Sequence, residues 1–109
     1  MPSRSYQKGR ALEYALKQFL EQQDWLVIRS AGSHSPADLI ALRQGKVRLI
    51  QVQQDGHLPK AKRDALKAFA QKAGQPAYFA HKIRGRWLFE PVYPEPPVSP
   101  IPQPLTKLP

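Results

Sequence analysis

Ala11, Leu12, Ala15, Leu16, Phe19 and Leu20 recur at intervals of three and four residues, which predicts a first helix from about Gly9 to Gln23. The short apolar run Trp25-Leu-Val-Ile-Arg29 reads as a buried strand, and Ser30-Ala-Gly-Ser-His-Ser-Pro36 has the small and breaking residues of a loop. Asp38-Leu-Ile-Ala-Leu42 is predicted as a second strand. Gln44-Gly45 makes a tight turn into a third, Val47 to Gln53, so the pair forms an antiparallel hairpin. Pro59 opens a second helix to about Ala73, with Leu66, Phe69 and Ala70 on its inner face and Gly74 as its stop. Tyr78-Phe-Ala-His-Lys82 and Trp87-Leu-Phe-Glu90 are two further strands around an Arg84-Gly-Arg86 turn.

The order α-β-β-β-α-β-β predicts an α/β fold, a mixed central sheet flanked by helices. The strand after the second helix returns parallel to the third by a right-handed crossover. From Pro91 to Pro109, eight of nineteen residues are proline, which excludes helix and central strand and predicts an extended tail. The expected organisation is a domain over 1–91 and a Pro-rich tail over 92–109. A bland tail is the default reading; a linker stub, a partner ligand and a strap on a second subunit are the alternatives.

Composition narrows the function. A chain of 109 residues has room for one modest core. Seventeen Lys and Arg against eight Asp and Glu give a net charge of +9, spread along the chain. Such a surface suits a phosphate backbone, with an anionic membrane as the rival. No apolar run approaches the roughly 20 residues that span a bilayer, and the polar N-terminus is no signal peptide, so an intracellular, cytoplasmic protein is expected. The absence of cysteine excludes disulfides and Cys-based zinc sites.

Residues two apart on a strand share a face, so Leu49, Gln51, Gln53 and, if the strand runs on, Asp55 point one way. Two glutamines between apolar neighbours fit either a solvated sheet face or a polar site. Asp38 sits where the loop enters the paired strand, within reach of Gln51; its other reading is a turn or capping aspartate after Pro36. Glu13, flanked by Leu12 and Tyr14, is either a site residue or an exposed helix glutamate paired with Lys17. His34, His57 and His81 lack zinc-site spacing, and His34 is read as a surface loop residue, with a contact to phosphate or water as the alternative.

From Gln7 to about Pro91 the chain resembles archaeal-type Holliday junction resolvases, a branch of the PD-(D/E)xK nuclease superfamily. The resemblance rests on Lys8-Gly9 followed by Glu13, the run Val27-Ile-Arg-Ser-Ala-Gly-Ser33, Pro36-Ala-Asp38-Leu-Ile-Ala41, the Gln51-Val-Gln53 strand, Lys62-Arg63 and Gly85-Arg-Trp87-Leu-Phe89. It implies a restriction-endonuclease-like fold and a homodimer that nicks four-way DNA junctions symmetrically with magnesium or manganese. Glu13 and Asp38 are implied metal ligands, Lys8 and Arg29 phosphate contacts, and Ser33 a hydrogen-bonding residue of the catalytic loop. The family pattern has Glu at 51 and Lys at 53, where this chain has glutamine at both, and often Arg where it has Tyr14.

The two changes balance. Three carboxylates and one lysine sum to −2, and Glu13 with Asp38 alone also sum to −2, so a dication meets the same charge. Gln51 and the Val52 carbonyl then complete the metal shell as neutral oxygens, and Gln53 positions water. The alternative is a junction-binding protein that keeps the fold without catalysis. Lys8, Arg10, Arg29, Ser33, Lys60, Lys62 and Arg63 are the expected DNA contacts, with Lys67, Arg84 and Arg86 as further basic positions. Trp87 and Phe89 share a strand face and are assigned to the core before any interface.

Overall fold

The computed structural model describes residues 4–30, 35–95 and 105–109, with side chains from Gly9 onward. Helix α1 (Arg4–Glu21) starts at Arg4, ahead of the predicted Gly9. A glycine inside a helix costs only about 1 kcal/mol against alanine, too little to set a boundary. Strands β1 (Leu26–Arg29), β2 (Leu39–Arg43) and β3 (Lys46–Val52) follow, then α2 (Lys60–Ala73), β4 (Ala77–Ile83) and β5 (Arg86–Tyr93).

The five strands lie side by side in sequence order. β1, β2 and β3 form an antiparallel meander, α2 carries the chain over to β4 parallel to β3, and β5 returns antiparallel. Both hairpins turn on residue pairs with positive φ, Gln44 (49°) with Gly45 (80°) and Arg84 (51°) with Gly85 (79°). Paired left-handed residues give the turn whose twist matches that of the strands. Gly74, at φ 69°, stops α2, its N–H donating to the carbonyls of Ala70 and Gln71.

Strand alternation splits the core in two. One layer joins Leu16 and Leu20 of α1 to Leu39, Ala41, Ile50, Tyr78, Trp87 and Phe89. The other joins Leu66 and Ala70 of α2 to Leu49, Ala77, Phe79 and Val92. Trp87 and Phe89 are therefore core residues. Gln51 follows Leu49 on the α2 face and is only 8% exposed, which excludes the solvated-face reading at that position.

β5 runs to Tyr93, beyond the predicted Glu90 and across the expected boundary at 91/92. Pro91 is tolerated because β5 is an edge strand, where a missing N–H breaks no inner ladder. Residues 105–109 come back to this edge. Leu105 exchanges both backbone hydrogen bonds with Phe89 (2.7 and 2.8 Å), and Leu108 enters the α1-side core.

Candidate active site

At the C-terminal end of β3 a pocket of about 380 Å³ is lined by Gly9, Glu13, Asp38, Gln51, Val52, Gln53, Gln54, Asp55 and Lys62. Each reaches it for a local reason. The β2–β3 register, which pairs Leu39 with Ile50, places Asp38 opposite Gln51. The Asp38 N–H donates to the Ile50 carbonyl (2.8 Å), and the Val52 N–H donates to the Asp38 carboxylate (2.9 Å). α1, packed on one face, supplies Glu13, whereas α2, packed on the other, supplies Lys62.

Glu13 lies close enough to Asp38 for the Asp38 charge to oppose its ionisation. Burial raises the Glu13 carboxyl above its ordinary value, the charge of Asp38 raises it further, and Arg29 pulls the other way. Burial also raises Asp38, against the Val52 N–H and the charges of Lys62 and Arg29. Glu13 does not pair with Lys17, which is bound to Glu21 (3.0 Å). Its partner is Arg29, whose Nε donates to Glu13 Oε1 at 2.9 Å.

Arg29 is thus engaged on a site carboxylate, and its guanidinium also lies over the Tyr14 ring (5.0 Å) beside that of Arg10 (5.6 Å). Tyr14 gathers two cations against α1. Its phenol is drawn below its ordinary value, first by a hydrogen bond with Arg10.

Among the described residues, no group of three or more His, Cys, Asp or Glu is arranged to hold a metal. The two carboxylates nonetheless fit a hard divalent cation, because both are disfavoured as anions by burial and Glu13 further by Asp38. The Gln51 amide and the Val52 carbonyl add neutral oxygens at the pocket, and hard cations accept both carboxylate and neutral oxygens. Gln53 Nε2 is buried without a hydrogen-bond partner. A donor left so at a pocket wall is suited to meet a ligand oxygen.

The other expected residues are dispersed. Ser33 and His34 lie outside the described residues, as does the side chain of Lys8. Lys60 pairs with Asp64 (3.0 Å), and Arg63 lies over Phe79 (5.4 Å), both in the first turns of α2. β3 ends at Val52, so Asp55 does not continue the strand. It sits in a bend at the pocket, its carboxylate accepting from the His57 N–H (3.0 Å). His81 carries no signal in the sequence beyond its spacing. It is 3% exposed, stacks on Phe79 and pairs with Glu90 at 2.8 Å, an association that only the β4–β5 register reveals.

The model of the archaeal Holliday junction resolvase (Hjc) family matches residues 4–94. The chain belongs to this family. It is 36% identical over 88 residues to the crossover junction endodeoxyribonuclease Hjc of Methanocaldococcus jannaschii, a match covering 77% of this chain and 65% of that protein. The chain therefore matches less than two thirds of that relative's length. Among solved structures it is similar to Hjc of Archaeoglobus fulgidus, a Holliday junction resolvase from an archaeal hyperthermophile. That likeness has a TM-score of 0.67 and 31% identity, and covers 78% of this chain and 73% of the other. The mixed five-stranded sheet between two helices is thus a resolvase nuclease fold.

Proposed function

We propose that the chain hydrolyses phosphodiester bonds in four-way DNA junctions, acting as a homodimer with magnesium or manganese. The observation that carries this reading is the meeting of Glu13, Asp38, Gln51, Val52 and Gln53 in one pocket of a resolvase-family chain. Glu13, Asp38, Gln51 and the Val52 carbonyl hold the cation. When bound there, the cation would supply polarisation of the phosphate and a lowered pKa for a water molecule.

The chain's own groups do the rest. The Val52 N–H fixes one Asp38 oxygen. Arg29 fixes one oxygen of Glu13, orienting the second carboxylate. Gln53 offers its unpartnered amide N–H to water or to a phosphate oxygen. Lys8, Arg10, Lys60 and Arg63 bind the backbone without reading sequence. Gln51 and Gln53 stand in place of a Glu and a Lys in this reading, as a charge-balanced pair. Two copies related by two-fold symmetry supply one nick each on a nearly symmetric junction. Ser33 contributes a hydrogen bond near the phosphate, as the family resemblance implies.

The test is cleavage of an end-labelled four-way junction with Mg²⁺ or Mn²⁺, beside Asp38→Asn. Paired symmetric nicks that vanish in the variant are expected. Tight, salt-sensitive binding with no product would instead support a junction-binding protein without catalysis, a reading favoured by the neutral strand pair Gln51 and Gln53.

A further inference from the structure

We propose that Lys62 is a catalytic residue whose ammonium contacts the scissile phosphate, supplying from α2 the positive charge that Gln53 does not supply from β3. This rests on the hydrolytic reading above and assigns one residue a role within it.

The placement comes from two packing relations. Leu49 of β3 and Leu66 of α2 belong to the same core layer, so α2, packed chiefly on β5 and β4, lies on the side of the sheet to which Leu49 and Gln51 point. Lys62 lies in the first turn of α2 and lines the same pocket as Gln53, Asp38 and Glu13. A lysine at 53 and the lysine at 62 would thus enter one space, the first from the end of β3 and the second from the start of α2. The four-carbon stem of an exposed lysine lets its ammonium follow a phosphate oxygen through the reaction.

The neighbouring cations on α2 are differently engaged. Lys60 is bound to Asp64, Arg63 lies over Phe79, and Lys67 is bound to Glu95. Of these four basic side chains, Lys62 is the one that lines the pocket. Its charge already acts on Asp38, lowering that carboxyl against the effect of burial. The first turn of α2 also carries no acidic residue to offset its bases. Positive charge at a helix N-terminus opposes the helix dipole, so this arrangement is unfavourable for the helix alone and favourable for an anion in front of it.

In the step itself, a water oxygen forms a bond to phosphorus as the bond from phosphorus to the leaving sugar oxygen breaks. The attacking water loses its proton to bulk solvent, and the leaving oxygen takes one up from it. Lys62 keeps all three of its protons and donates a hydrogen bond to a non-bridging oxygen as charge grows there.

The experiment is single-turnover cleavage of a four-way junction at saturating protein, with the dissociation constant and thermal melt of each variant measured in parallel. Lys62→Met is expected to cleave roughly 100-fold or more slowly, the scale of removing one oxyanion donor, while its junction affinity changes by less than about 3-fold. Adding Gln53→Lys to Lys62→Met is expected to recover at least about 10-fold of that rate, which a merely structural role for Lys62 would not produce. Lys72→Met, at the far end of the same helix, is the unaffected control.

Cleavage by Lys62→Met within about 3-fold of the parent chain overturns the assignment, as does a slow variant that Gln53→Lys fails to restore. Parallel loss of affinity and rate also overturns it, leaving Lys62 as a phosphate grip. A parent chain that binds the junction and makes no nick overturns the hydrolytic reading itself, and this inference with it.

Discussion

The backbone N–H of Val52 donates to the Asp38 carboxylate at 2.9 Å, fastening the residue before β2 to the last residue of β3. One side chain thereby serves both the sheet and the site. Its remaining oxygen capacity is available to a ligand, and burial makes its charge unfavourable until one arrives.

Asp38 should therefore weaken the folded state at neutral pH. Its folded-state pKa is raised above the ordinary 3.8, so the folded chain favours the protonated form more than the unfolded chain does. The stabilisation that this preference gives is fully present below 3.8 and is lost as pH rises through the folded value. Asp38→Asn keeps an oxygen for the Val52 N–H and removes the charge. We expect it to stabilise the chain by on the order of 1 kcal/mol at pH 7, the usual scale of stability traded for function, with the gain shrinking towards pH 3.8. Thermal melts across pH check this. Manganese should raise the melting temperature of the parent chain and leave that of the variant unchanged.

Arg29 and Glu13 form a half-buried pair, and Glu13 is already pushed towards neutrality. Arg29→Met should cost about 1–3 kcal/mol, because it strands a desolvated carboxylate. Glu13→Gln should cost less, since an amide oxygen still accepts from Nε. Urea unfolding of the two single variants and the double variant gives their coupling, expected at roughly 0.5–3 kcal/mol. A coupling near zero would show that the pair is ornamental to stability.

Glu90 holds the buried His81 ring through Nε2, while the ring's Nδ1 is buried without a partner. Glu90→Ala should leave both ring nitrogens unsatisfied and destabilise the fold by about 1–3 kcal/mol. His81→Phe in that background should recover part of the loss, because the ring already stacks on Phe79. Denaturation midpoints of the three proteins decide the point.

The segment beyond β5 is proposed as a strap on its own domain. Ending the chain after Glu95 removes the Leu105 bridge to Phe89 and exposes the core around the buried Leu108. The expected loss is about 2–4 kcal/mol, most of it the burial of one leucine. A truncated chain that melts with the full one would return the segment to a passive tail.

The hydrophobic pattern alone determined the seven elements, their order and the parallel return through α2, because apolar spacing and turn residues are local properties. It could not fix where α1 begins or where β5 ends. Arg4 to Lys8 have no apolar period to read, and Pro91 is excluded only from strands with a neighbour on each side. Alternation along the third strand also nominated Gln51 and Gln53, whereas Glu13 and Asp38 were nominated as metal ligands by the family resemblance.

Pairing was decided by the tertiary structure. Lys17 lies one helical turn from both Glu13 and Glu21, and only the approach of β1 to α1 gives Glu13 to Arg29 instead. Lys62 reads as one basic residue among several until the fold brings it to the pocket at the end of β3. Burial then marks a pair of acidic residues as a candidate site, because the energy of a charge depends on what surrounds it and a sequence does not record its surroundings.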